Sequence, residues 1–116
     1  MNGFDSVVVN EKKETGPGKW EIRLSVPASS PYFKGHFPSF HLLPAVATVD
    51  IVALLSSDIL GRKISVTSIS RTKFTSPLLP DEEAVLSLDL SRSGSVVFSV
   101  SLKGRECSKG ILRYAS

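Results

Sequence analysis

One segment of the chain departs from the pattern of everything around it. The run PAVATVDIVALLSSDIL, residues 44–60, shows no alternation of polar and apolar residues, whereas the segments on both sides alternate. It starts at Pro44, a residue favoured in a first helical turn, and ends before Gly61, a residue favoured just past a helix. We therefore predict a helix here, and a buried one, because its apolar residues cover nearly every side.

The alternating segments predict strands, since side chains of a strand point in turn to its two faces. In GKWEIRLSV, residues 18–26, the apolar residues occupy every second position. Six such strands are predicted, at residues 7–9, 18–26, 64–74 (with a phase shift near Ser68 that suggests a bulge), 84–90, 96–102 and 106–114. Two strands, one helix and four strands indicate a single α+β domain over residues 1–116, with a mostly antiparallel sheet.

Composition narrows the function classes. Hydrophobic residues at 41% and charged residues at 22% are ordinary for a globular domain. No apolar run is long enough to span a membrane, no secretory signal is visible, and the single cysteine suits a reducing cytoplasm. The net charge of +3 comes from scattered basic residues, a distribution that fits an acidic carrier protein better than nucleic acid.

Asp50 is an acid in the otherwise apolar first part of the predicted helix. Its neighbours on the same side, three and four residues away, are Val46, Ala47, Ala53 and Leu54. An ionised carboxylate buried without a partner costs several kcal/mol, so this group must find a donor, take up a proton or line a cavity. An acid in a cleft is a candidate for function, whereas pairing with a distant base such as Arg71 would make it structural.

Both histidines, His36 and His41, lie in the proline-rich loop of residues 27–43, and the pattern alone does not separate them. A loop stiffened by prolines can hold an imidazole near the helix start. The first turn of the helix also offers the unpaired N–H groups of Ala45 and Val46, which can stabilise an oxyanion. A base, an acid and oxyanion donors are therefore predicted within one short stretch.

These residues resemble the signature of a known family, the 3-hydroxyacyl-(acyl carrier protein) dehydratases. The family reads GHFPG, then [ML]PG, then an acid on the helix; this chain reads KGHFP at 34–38, LPAV at 43–46 and Asp50, fourteen positions after His36. A second segment, TKFTSPLLPD at 72–81, resembles the family's K-F-x-x-P-V-x-P-G-D. The likeness covers most of the chain.

The resemblance implies a hot-dog fold, in which a curved antiparallel sheet of about six strands wraps around one long central helix. It also implies a homodimer or higher homo-oligomer in which two subunits complete each active site. The partner would be an acyl carrier protein that brings the acyl chain on its phosphopantetheine arm. The chemistry of the family needs no metal and no other cofactor.

By the same resemblance, His36 is the general base that removes the C2 proton of a 3-hydroxyacyl thioester. Asp50 orients or protonates the departing hydroxyl group. The positions assigned to the oxyanion and to substrate binding are Ala45, Val46, Phe37 and Pro44.

Three positions depart from the family pattern. Ser39 and Ala45 stand where glycines are usual, and His41 stands where a proline is common. They leave two alternatives open. One is a thioesterase of the same fold, although such enzymes usually lack the GHFP loop. The other is an acyl-binding or assembly subunit that has lost turnover.

Overall fold

The computed structural model describes residues 7–27, 45–75 and 81–115 of the chain. Six strands and one helix lie in this part of the protein. In chain order they are β1 (Val8–Gly16), β2 (Lys19–Ser25), α1 (Ala45–Leu60), β3 (Ser65–Phe74), β4 (Ala84–Asp89), β5 (Ser95–Leu102) and β6 (Arg105–Ala115). The predicted element order is confirmed, although β1 is longer than predicted because it pairs along the whole of β2.

The strands form one sheet with the order β1-β2-β4-β5-β6-β3, in which every neighbouring pair is antiparallel. The chain leaves β2 for the helix and returns to the far edge of the sheet as β3. The two edges are therefore β1 and β3. The sheet wraps around α1, which confirms the α+β hot-dog architecture.

The core lies between one face of the sheet and the helix. Helix α1 contributes Ile51, Val52 and Leu55, which are at most 3% exposed. Each of these side chains stabilises the fold by about 1.5–3 kcal/mol when it is fully buried. The buried apolar residues of β2, β4 and β5 are among those that the alternation predicts, namely Ile22, Leu24, Ala84, Leu86, Leu88, Val96, Phe98 and Val100. Strand β6 adds Cys107, Leu112 and Tyr114.

The prediction that the helix is buried on every side is wrong for the single chain. The side that faces the sheet is buried, but Ala53 and Leu54 are only half-buried, and Asp50 is exposed. One sheet covers only one side of a helix, so the apolar residues of the other side remain uncovered.

The helix ends as the glycine predicts. Gly61 has a φ of 72°, in the left-handed region. The N–H of Gly61 donates to the carbonyl of Asp58 at 3.3 Å, and the N–H of Arg62 donates to the carbonyl of Ser57 at 3.2 Å. This pair of bonds is a Schellman motif, which satisfies carbonyls that the last helical turn leaves open.

Two irregularities interrupt the pairing of β3 with β6. The first lies between Val66 and Ser68, where the phase shift predicts it. At the second, between Ser70 and Lys73, two residues of β3 lie opposite Gly110. A Cβ atom at Gly110 would meet Cγ2 of Thr72 at 2.9 Å and the Phe98 ring at 3.0 Å. Glycine is therefore needed for the close approach of Phe98 to β6.

Gly110→Ala is expected to lower the free energy of unfolding by about 1–3 kcal/mol, because the added methyl group forces Thr72 or Phe98 to move. Urea denaturation measures this change. Gly16→Ala is the matched control in a strand, since a Cβ there meets only Lys19 at 3.8 Å. Equal stability of the two variants would show that the space around Phe98 is not tightly filled.

Candidate active site

Asp50 lies in the second turn of α1, and its carboxylate is exposed in the single chain. The single chain therefore does not bury the acid, and its burial stays a prediction for an assembly of two subunits. Asp50 shares its side of the helix with Ala53 and Leu54, both half-buried, so apolar side chains lie beside the acid on the uncovered side. A carboxylate in such a position becomes desolvated as soon as another surface covers that side.

The start of α1 points its backbone N–H groups out of the helix. Ala45 is the first helical residue, so the N–H groups of Ala45 and Val46 have no acceptor within the helix. The first turn contains no acidic residue that would compete for these donors. The positive end of the helix dipole adds to them, which makes this terminus suitable for holding an oxygen that gains negative charge.

The remaining predicted site residues lie outside the described part of the chain. These are His36, Phe37 and Pro44. Their roles, and the distance between His36 and Asp50, therefore stay predictions.

A narrow apolar crevice, with room for about one water molecule, lies between the first half of α1 and the sheet. It is lined by Leu24, Thr48, Ile51, Val52, Ala84, Leu86 and Val100. Thr48 is only 6% exposed, although it lies two residues before the exposed Asp50. Sequence reasoning missed Thr48; the available signal was a polar residue within an otherwise apolar helix, the same signal that identified Asp50.

A second uncovered apolar strip runs along the edge strand β3. Val66, Ile69 and Phe74 are 36%, 46% and 41% exposed. They lie opposite Tyr114, Leu112 and Ser108, whose side chains point into the protein, so all three are on the face of β3 that is directed toward the helix side. The first half of β3, SVTSIS, carries no charged residue. Natural proteins usually protect edge strands with charges, so this edge is suited to pairing.

Arg71, the base suggested as a partner of Asp50, lines a groove of the sheet together with Lys109 and Asp89. Cys107 is 1% exposed, and burial raises the pKa of its thiol. A protonated thiol is a poor nucleophile, so Cys107 acts as a small buried hydrophobic residue.

The described residues include no group of three or more His, Cys, Asp or Glu side chains that could hold a metal ion. Helix α1, with 16 residues, is too short to cross a membrane, and no other helix is present in the described ranges.

Comparison with known proteins identifies relatives over most of the chain. Residues 10–111 match the ApeI-like family, described as ApeI dehydratase. The 3-hydroxyacyl-[acyl-carrier-protein] dehydratase FabZ of Geotalea uraniireducens (strain Rf4) is 29% identical over 119 residues, which cover 94% of this chain and 81% of that protein.

Two solved structures illustrate the likeness in fold. The dehydratase heterocomplex ApeI:P from Xenorhabdus doucetiae matches with a TM-score of 0.82 at 25% identity, over 94% of this chain and 97% of that chain. Thioesterase superfamily member 2 from Mus musculus matches with a TM-score of 0.67 at 17% identity, over 100% of this chain and 90% of that chain. At that identity, the second likeness concerns the fold alone.

Proposed function

The chain belongs to the ApeI-like dehydratase family, and we propose that it removes water from carrier-bound (3R)-3-hydroxyacyl thioesters to give trans-2-enoyl thioesters. The observation that supports this most directly is the position of Asp50. It lies one turn in from the N–H groups that begin α1, on the side of the helix that the chain's own sheet leaves uncovered. An acid and candidate oxyanion donors thus lie within the first two turns of one helix.

In the proposed reaction, His36 takes the proton from C2 of the substrate, and the N–H groups of Ala45 and Val46 hold the thioester oxygen as it gains charge. Asp50 gives a proton to the 3-hydroxyl group. The C3–O bond breaks, a double bond forms between C2 and C3, and water leaves. Phe37 and Pro44 contact the substrate beside the helix start, and neither a metal nor another cofactor takes part.

We further propose that the active unit is a homodimer. The uncovered side of α1 and the apolar strip of Val66, Ile69 and Phe74 on β3 are both surfaces that a second copy would bury. A second subunit on these surfaces would cover Asp50 and bring its own His36 toward it. The relative from Xenorhabdus doucetiae is a heterocomplex, so a different dehydratase chain is the competing partner.

The wild-type protein is expected to add water to a trans-2-enoyl thioester such as a crotonyl thioester, which is the reverse of the proposed reaction. Loss of the enoyl absorbance measures this. Release of free thiol instead would indicate a thioesterase. Binding of the acyl thioester without turnover would indicate the alternative function, an acyl-binding subunit, which the departures at Ser39 and Ala45 leave open.

A further inference from the structure

Two lysines lie directly opposite each other on neighbouring strands. Lys73 of β3 pairs with Lys109 of β6, and both side chains are exposed. Directly opposed side chains have Cβ atoms about 4.5–5.5 Å apart, a distance at which like charges repel. Neither lysine takes part in an ion pair among the described ranges of the chain. The pair therefore destabilises the isolated protein, although a neutral residue at either position would avoid the cost.

Arg71 adds a third cation to this surface. It belongs to the bulge opposite Gly110 and has a φ of 52°, a left-handed conformation that is unfavourable for a residue with a Cβ. Arg71 and Lys109 line the same groove. The three residues Arg71, Lys73 and Lys109 are called the basic cluster below.

The carboxylates that could neutralise the basic cluster are mostly distant. The acidic residues of the groove, Glu21 and Asp89, lie on β2 and β4, and strand β5 separates both from β6. Glu106 is nearer, three residues before Lys109 on β6, and it is exposed. Three cations thus gather beside one carboxylate, which leaves a net positive surface.

Lys73 and Lys109 lie on the outer face of the sheet, away from the helix, because Ser108 and Gly110 on either side of Lys109 are buried. Along the strands, the basic cluster is nearly level with the candidate active site. Lys73 and Lys109 immediately adjoin the pair Phe74 and Ser108, and Ser108 in turn pairs with Val100. Val100 lines the crevice beneath α1 together with Ile51, the residue after Asp50. One residue of a strand spans about 3.3 Å. Along the strands, Lys73 and Lys109 are therefore only one residue away from Phe74 and Ser108, which lie at the level of the first half of α1.

We propose that the basic cluster is the docking surface for an acidic face of the acyl carrier protein that delivers the thioester; this inference rests on the proposed function. Carboxylates of the carrier would relieve the repulsion between Lys73 and Lys109. The free energy that this repulsion costs the isolated chain would therefore favour binding of the carrier. Exposed cations also steer an acidic partner toward the surface before contact. To reach Asp50, the flexible arm of the carrier would pass the end of β3 beside Lys73, since the basic cluster and α1 lie on opposite faces of the sheet.

Lys109→Glu is the variant that tests the docking surface. It should raise KM about tenfold or more for a trans-2-enoyl chain on a purified acyl carrier protein, with kcat unchanged. The same chain on N-acetylcysteamine should keep its wild-type KM and kcat. The melting temperature should not fall, because Glu at position 109 faces Lys73 with an opposite charge.

Lys63→Glu is the matched control. Lys63 is exposed and lies ten residues from Lys73, beyond the other end of β3. This variant should leave KM for the carrier-bound chain within about twofold of wild type, because exposed charges at that distance are largely screened. If Lys63→Glu and Lys109→Glu raise KM equally, the net charge of the protein explains the rise in KM without a docking surface, and the proposal is wrong.

Two further outcomes are decisive. An unchanged KM for the carrier-bound chain in Lys109→Glu would overturn the proposal, and so would an equal rise of KM for both substrates. If the wild type converts neither substrate, the proposed function fails, and titration of labelled carrier protein then tests docking directly. Weaker binding by Lys109→Glu than by wild type and Lys63→Glu supports the surface, whereas equal binding by all three proteins overturns it.

Discussion

Asp50→Asn is expected to lower kcat for hydration of an enoyl thioester by about 10²–10⁴-fold, the usual loss when a general acid or base is removed. Asparagine has nearly the same shape but no carboxyl proton to exchange with the 3-hydroxyl group. Because Asp50 is exposed in the single chain, the fold should tolerate the change. The measurement is the rate of loss of enoyl absorbance, together with a melting temperature for each variant.

Asp58→Asn is the control for this loss. Asp58 lies on the same helix and is also exposed, but it pairs with Lys12 at 3.1 Å near the opposite helix end. Its kcat should stay close to that of the wild type. A kcat for Asp50→Asn equal to that for Asp58→Asn would exclude Asp50 as the acid.

His36→Ala should cause a loss of kcat of the same order, with His41→Ala as the matched control in the same loop. Mixing subunits tests whether the site is shared. If His36 of one subunit works with Asp50 of the other, mixed dimers of His36→Ala and Asp50→Asn contain one intact site each, so about a quarter of all sites recover after random exchange. No recovery after verified exchange would place both residues in one subunit.

Ile69→Lys is expected to weaken self-association by about 10²-fold or more, because a second copy would have to bury an unpaired ammonium group in the strip of Val66, Ile69 and Phe74. Sedimentation analysis should show monomer at concentrations where the wild type is dimeric. If the second subunit contributes His36 to the site, kcat per chain falls together with the dimer fraction.

Val97→Lys is a closely matched control. Val97 is 46% exposed, as Ile69 is, but it lies on the central strand β5 opposite Asp89. This variant should remain dimeric and should keep its activity on the N-acetylcysteamine substrate. Dimers that survive Ile69→Lys would exclude the β3 strip as the interface. A wild-type chain that is monomeric and inactive alone, but active with a second dehydratase chain, would establish a heterocomplex instead.

Much of the fold follows from local pattern. Alternation assigns the inward positions of the sheet, including Phe98, because a strand has only two faces. Gly61 indicates the helix end, because few other residues adopt its left-handed conformation cheaply. The bulge near Ser68 is visible for the same reason, since an extra residue shifts the phase of the alternation.

The site is less accessible to such reasoning. The position of Asp50 within the helix follows from the sequence, but its exposure does not, because exposure depends on which side of the helix the sheet covers. The buried state of Thr48 has the same origin. The roles of His36, Phe37 and Pro44, which lie outside the described residues, continue to rest on resemblance.

By itself, then, the sequence determined the order of elements, the inward positions of the strands, the helix end and the candidate acid, all of which depend on contacts between near neighbours. Only the tertiary structure decided that β3 returns to the far edge of the sheet and that Lys73 lies opposite Lys109. It also decided that the missing Cβ of Gly110 leaves room for the Phe98 ring. These facts depend on register between strands that are distant in the chain, and periodicity within one strand carries no information about its partner.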